Sequence, residues 1–182
     1  EIKYATLGLA ATNAYLLADT ETSEAIQIDP VDQADTLVEM ASDCGWTIKL
    51  ILATHAHFDH VLASKQLKEL TGAPFYIHTE AADLLKNLPE TGIRFTGKPF
   101  PEAATPDRLL TTAPETITLG AITLETLYTP GHAPGHLAFF LRDHNIVFSG
   151  DALFAGSVGR TDLPGGDHAL LIRMLREKLL TL

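Results

Sequence analysis

The chain has 182 residues, 46% of them hydrophobic, which is enough for one well-buried domain and short for two, so residues 1–182 are expected to form a single domain. A formal charge of −10 without clustered Lys and Arg excludes a nucleic-acid surface. No apolar run approaches the ~18–20 residues that span a bilayer and no charged-then-apolar leader opens the chain, so a cytoplasmic protein without a membrane partner is expected. The single cysteine, Cys44, allows no internal disulfide and fits a reducing compartment. The chain opens at Glu1 without Met and stops in mid-pattern at "REKLLTL", so both ends are expected to be trimmed.

In chain order, "IKYATLG", "NAYLLAD" and "EAIQIDP" are short apolar or alternating runs separated by Gly, Asn and Pro, which predicts a strand meander. A helix follows, with Asp32 as N-cap, Asp35 in its first turn, an apolar face of Leu37, Val38, Met40, Ala41 and Cys44, and Gly45 as its stop. Cys44 reads there as a small buried residue at a helix end. "TIKLILAT" predicts a buried strand, and "HAHFDH" leads into one helix with Ala63, Leu67 and Leu70 on its inner face, ended by Gly72 and Pro74. "APFYIHT" reads as a strand and "EAADLLKNL" as a short helix. From Pro89 to Pro114 there are five prolines and little periodicity, which predicts a long loop. That loop is either a lid or binding segment offering Arg94, Phe95, Lys98 and Phe100, or a cover over the domain or a neighbouring subunit. "ETITL", "AITLETLYT", "HLAFFLR" and "NIVFSGD" are strands, the last two joined by a turn around Asp143 to Asn145, and a final helix starts at Asp167. Strands, helices, strands and a helix, without strict β-α-β alternation, predict an α/β fold of two packed sheets with helices outside, a four-layer αββα sandwich.

The chemistry is concentrated in a few turns. "THAHFDH" packs three imidazoles and a carboxylate into the six residues from His55 to His60, a poor way to build a core. Protonated imidazoles at that spacing repel one another, and a metal would keep them neutral. "TPGHAPGH" adds His132 and His136, "FSGDALF" adds Asp151, and "GSVGRTDLPGGD" adds Arg160 and Asp162. Each lies where a predicted strand gives way to a Gly-rich turn, the place from which a rigid sheet usually presents functional side chains. His78, His144 and His168 lie outside these motifs, with surface or helix-end roles expected.

"THAHFDH", "TPGHAPGH" and "SGDALFAGSVGRTD", in that order, together with the early "NAYLL" and "IDP", resemble the metallo-β-lactamase superfamily, and within it the small hydroxyacylglutathione hydrolase-like (glyoxalase II-like) metal hydrolases. The resemblance implies two divalent ions. His55, His57 and His132 would hold one, Asp59 and His60 the other, and Asp151 would bridge them. Imidazole and carboxylate donors suit zinc first, and also iron or manganese. The family closes its second site with one more His in a turn after the last helix, so the seventh ligand is expected beyond Leu182. His136 either orients a ligand from behind or simply starts a strand.

The implied reaction is attack of a metal-held hydroxide, with Asp59 beside it as a catalytic group, on a small-molecule thioester of the S-acylglutathione type. No motif residue is poised as a general acid, which favours a leaving group able to depart as an anion, and a thiol of pKa about 8.5 does so where an amine does not. Arg160 matches the basic residue that helps hold glutathione in glyoxalase II, with Asp162 where a Tyr stands in that family. Arg160 then either binds substrate or pairs with Asp162 to shape the loop. Two alternatives remain on the same fold. One is a mononuclear iron persulfide dioxygenase using His55, His132 and Asp151, the other a metal-binding module without turnover.

Overall fold

Period-two alternation along the first strands sorts their side chains between two cores. In the computed structural model, which describes residues 1–182, β1 (Ile2–Leu7), β2 (Thr12–Asp19) and β3 (Glu24–Ile28) form the expected antiparallel meander. On β2, Ala14, Leu16 and Ala18 point toward the helices while Leu17 points the other way; on β3, Ala25 and then Ile26 and Ile28 divide likewise. β4 (Thr47–Leu52), β5 (Phe75–His78) and β6 (Arg108–Leu110) continue the sheet in parallel, giving six strands in chain order. The second sheet is antiparallel, in the order β10-β9-β8-β7, from β7 (Thr116–Leu119), β8 (Ile122–Tyr128), β9 (Leu137–Leu141) and β10 (Ile146–Phe148).

Three apolar cores separate four layers, as predicted. Leu37, Ile51, Leu67, Phe75 and Ile77 pack the first sheet against α1 (Ala34–Asp43) and α3 (Ser64–Thr71). Ile26, Ile28, Leu52, Leu124, Leu137 and Phe139 fill the space between the sheets. Ala138, Leu171, Leu175 and Leu179 seat α6 (His168–Met174) and the π-turn after it on the second sheet. No helix is long and apolar enough to cross a membrane.

Several local expectations are corrected. Asp32 does not cap α1: its carboxylate takes the neighbouring Gln33 amide, and Gln33 occupies the cap position at φ 54° without a side-chain hydrogen bond. The Asp35 carboxylate instead receives Gln66 Nε2 from α3 at 3.1 Å. The helix after "HAHFDH" is two, α2 (Phe58–Val61) and α3, because the Ala63 amide turns aside to the Pro30 carbonyl at 3.1 Å. Ala63 and Leu67 are buried as expected, but Leu70 is 51% exposed. "EAADLLKNL" divides into a 3-10 turn (Thr79–Ala81) and α4 (Ala82–Lys86).

The largest departure falls in the proline-rich stretch, which contains α5 (Leu88–Thr96) and β6. Pro89 sits in the first turn of α5, where its missing N–H removes no intrahelical bond, and Gly97 ends the helix at φ 77°. Gly92 lies against the Phe100 amide and the Lys98 carbonyl so closely that a Cβ would overlap both, which fixes the helix on the segment that follows it. A further hairpin, β11 (Leu153–Phe154) with β12 (Ser157–Val158), was not expected either. Asp167 caps α6 as predicted, accepting the Leu170 amide at 2.9 Å, and Cys44 is the half-buried C-cap of α1.

Candidate metal centre

The segments after β3, β4, β8 and β10 meet at one end of the two sheets, and the motif histidines collect there with Asp59 and Asp151, while His78, His144 and His168 do not. His55, His57 and His132 converge first: His55 Nε2 lies 3.0 Å from His57 Nδ1 and 3.3 Å from His132 Nε2, and His132 Nε2 lies 2.8 Å from His57 Nδ1. Three ligands of one tetrahedral zinc at ~2.0–2.1 Å would stand about 3.3 Å from one another, so the triangle has nearly the size of one face of such a site.

The outer hydrogen bonds decide which nitrogens carry protons. His132 Nδ1 faces the Arg160 carbonyl at 2.8 Å, which can only accept, so Nδ1–H donates and Nε2 keeps its lone pair. Thr54 Oγ1 gives its one proton to Asp29 Oδ2 at 2.9 Å and must therefore accept from His55 Nδ1 at 3.1 Å. His55 Nε2 is then a lone pair as well. Two lone pairs 3.3 Å apart, at 0% and 2% residue exposure, both face His57 Nδ1, so either a proton on that nitrogen or a cation among the three has to satisfy them. Burial, with neighbouring imidazoles adding to it, pushes His55 well below its ordinary pKa, lowers His132, and takes His57 to about 4. The rings are neutral and ready to ligate.

His60 is the centre of a second group. Its Nδ1 donates to Asp29 Oδ2 at 2.9 Å, and its Nε2, buried and without a hydrogen-bond partner, faces Asp151 Oδ1 at 3.2 Å and Asp59 Oδ2 at 3.6 Å. Burial opposes charge on this ring most strongly, yet the Asp29 and Asp151 carboxylates together outweigh it and raise the pKa well above its ordinary value. A divalent cation satisfies the same atoms. The other Asp151 oxygen lies 3.5 Å from His132 Nε2, so this carboxylate presents one oxygen to each group. The structure thus brings together two donor groups that fit divalent ions, His55 with His57 and His132, and His55 with His60 and Asp151, with Asp59 Oδ2 3.6 Å from His60 Nε2 at the edge of the second.

His136 does not join either group. Its Nε2 accepts the Asp151 amide at 3.2 Å and its Nδ1 therefore donates to Thr129 Oγ1 at 2.9 Å, so the ring holds the backbone that carries Asp151. Burial, then the nearby His132, takes its pKa down to about 3, in keeping with a ring that must stay neutral. Gly150, at φ 49°, lets the chain pass so close to Thr54 Oγ1 and His136 Nε2 that a Cβ would meet them at 2.6 and 2.8 Å.

Four residues were missing from the sequence reading. Asp29, at φ 54° just beyond β3, ties Thr54 and His60 together, accepting the Thr54 amide at 2.7 Å. Thr12 donates to Asp59 Oδ2 at 2.8 Å, while Thr54 and Thr129 hold His55 and His136. The visible trace of Asp29 was the "IDP" at a strand end. Arg160 makes a bidentate pair with Asp162, both contacts 2.7 Å, and the residue borders the cleft above the metal groups. His78 is at a helix end as expected but fully buried, accepting the Glu80 amide and stacking on Tyr128, while His144 and His168 are exposed.

The comparisons agree with this geometry. Residues 7–182 match the family model of the metallo-β-lactamase superfamily, and the chain belongs to that superfamily. It is 40% identical over 171 residues to the hydroxyacylglutathione hydrolase GloC of Haemophilus influenzae, covering 93% of this chain and 80% of that protein. It is also 31% identical to the human mitochondrial persulfide dioxygenase ETHE1, over 96% of this chain and 61% of that one. Among solved structures, the BLEG-1 B3 metallo-β-lactamase superposes with a TM-score of 0.93 at 38% identity, covering all of this chain and 87% of that one. TTHA1623 in a di-iron-bound form superposes at 0.86 with 39% identity, covering 99% and 86%. The fold is the metallo-β-lactamase fold, and the His and Asp cluster is that of a metal-dependent hydrolase family using divalent ions.

The depressed imidazoles set a pH dependence for the metal-free protein. Above their ordinary value of 6.5 they are neutral whether folded or unfolded; below it the unfolded chain takes up protons that the folded rings refuse, down to about 4 for His57 and about 3 for His136. Stability therefore falls as pH falls through that window. His60 does not oppose this slope, because its raised pKa gives stability that is complete below 6.5 and is lost only above it. The urea midpoint of chelator-treated protein is expected to drop steadily between pH 6.5 and 4; a level or rising midpoint would contradict the neutral-ring assignment.

Proposed function

We propose that the chain is a hydrolase of thioesters of the S-acylglutathione type, with zinc ahead of iron or manganese as its native metal. The observation that carries this reading is the pair of adjoining donor groups, linked by Asp151, in the floor of an open cleft whose lining includes His57, Asp59 and His132 but no Ser or Cys. Without a side-chain nucleophile, water has to attack. Two divalent ions held by His55, His57, Asp59, His60, His132 and Asp151 would supply a water of lowered pKa and Lewis-acid stabilisation of the developing oxyanion.

The protein's own groups do the rest. Thr12 holds one Asp59 oxygen, which leaves the other to orient the attacking water and to receive its proton. His57 and His132, with pKa values below their ordinary range, hold no proton at neutral pH to hand to a leaving group. A leaving group that departs as an anion needs no proton from them, and thiolate does so readily. Arg160, at the cleft edge, suits an anionic tail on the thiol. The GloC relative supports the thioester reading. Likeness to the persulfide dioxygenase supports a second one, in which His55, His132 and Asp151 hold a single iron; oxygen uptake with one equivalent of iron, rather than thioester cleavage with two metals, would favour it.

Two substitutions test the roles. Asp59→Asn is expected to lower turnover at least ~100-fold in fully metal-loaded protein, comparable to loss of other preorganised electrostatic groups. The fold should persist, because the residue lies in a one-turn helix at the cleft. Unchanged thioesterase activity would remove Asp59 from the mechanism. Arg160→Ala should raise KM with little change in kcat, since the carbonyl that orients His132 remains. A loss confined to kcat, or no effect, would mean that the Arg160–Asp162 pair only shapes its loop.

A further inference from the structure

The cleft over the metal groups, about 530 Å³ in volume, has one wall that the hydrolytic machinery does not use. It is built by α4 and α5. Leu84, Leu88, Thr91 and Phe95 recur at intervals of four, three and four residues, so they stand along one side of the helical segment, and all four line the cleft. Across the base of this stripe Phe58, from α2, packs its ring 5.5 Å from Phe95 and 5.0 Å from Phe100. Phe58 immediately precedes Asp59, so the apolar wall begins at the metal floor. Phe95 nonetheless remains 60% exposed, which is unusual for a large aromatic residue already in contact with another ring.

Charge is distributed to match. Arg94 and Glu90, paired one turn apart at 2.6 Å, also line the cleft beside the stripe and offset each other's charge there. Arg160 borders the same cleft from the loop after β12, on a different segment of chain. A substrate with its carbonyl over the metal floor and its anionic tail at Arg160 has its remaining arm, the acyl group, left for the α5 wall. A two- or three-carbon hydroxyacyl group is too short to reach from the metal floor to Phe95. A longer apolar acyl group would run past the already buried Leu88 and remove Phe95 from water.

We propose that the stripe of Leu84, Leu88, Thr91 and Phe95, completed by Phe58, is the acyl-binding wall, and that it selects thioesters with an extended apolar acyl group of about six carbons or a phenyl ring. This deepens the thioesterase reading and rests on it. Gly92, pressed onto the Phe100 amide from the other side of α5, is what keeps the stripe facing the metals.

The test uses the metal-loaded full chain and glutathione thioesters of acetate, lactate, butyrate, hexanoate and phenylacetate. Burial of each methylene favours kcat/KM by about fourfold, so the value should climb steeply from acetyl to hexanoyl. Phe95→Ala should flatten this dependence to less than about twofold per methylene, and Phe95→Leu should restore most of it. Because Phe95 is exposed, circular dichroism should show both variants folded. A flat or falling dependence with acetyl or lactoyl thioesters cleaved well would overturn the acyl wall and leave the thioesterase reading intact. If no thioester is cleaved, the thioesterase reading fails, and titration of acetate through hexanoate by calorimetry decides the wall separately: affinity rising with chain length supports it, and equal affinities overturn it.

Discussion

Everything at this site follows from imidazole lone pairs that face one another inside the protein. His55 Nε2 and His132 Nε2 cannot share a hydrogen bond, because each ring has its only proton fixed on the opposite nitrogen by Thr54 Oγ1 and the Arg160 carbonyl. A buried arrangement of that kind is repulsive by itself. It becomes favourable when a cation, or a proton on His57 Nδ1, occupies the space that the three nitrogens define. The three apolar cores behind the site supply the stability that holds the rings together.

The architecture explains how so many ligands reach one point. Two sheets packed face to face bring the segments after β3 and β4 from the first sheet against those after β8 and β10 from the second. His55 and His132 are 77 residues apart in the chain and adjacent in space. Asp29, itself held in a left-handed conformation, binds Thr54 and His60 at once and so sets the spacing between the two metal groups. His136 does for Asp151 what Asp29 does for His60. Neither residue needs to touch a metal to determine its geometry.

The ligand types were legible because they are rare and sit in short turns at strand ends, where hydrophobic periodicity stops. Local pattern also located the strands, since period-two alternation sorts their residues between cores on opposite faces. The supporting residues were not legible: Asp29, Thr12 and Thr54 are ordinary strand-end residues whose partners lie 25 to 47 positions away. α5 was missed because prolines outweighed a short amphipathic pattern, although Pro89 falls where a helix tolerates it. Leu70 was assigned to the core by spacing alone; it shares α3 with the fully buried Leu67 but stands about 60° round the helix from it, at the edge of the buried stripe, and is 51% exposed.

Anomalous diffraction from crystals of protein purified without added metal, collected on both sides of the zinc and iron absorption edges, addresses the central claim most directly. The lone-pair geometry predicts one strong peak among His55 Nε2, His57 Nδ1 and His132 Nε2, and a second among His60, Asp59 and Asp151. Absence of any anomalous peak at the three histidines, with their rings turned to hydrogen-bond water or one another, would contradict it.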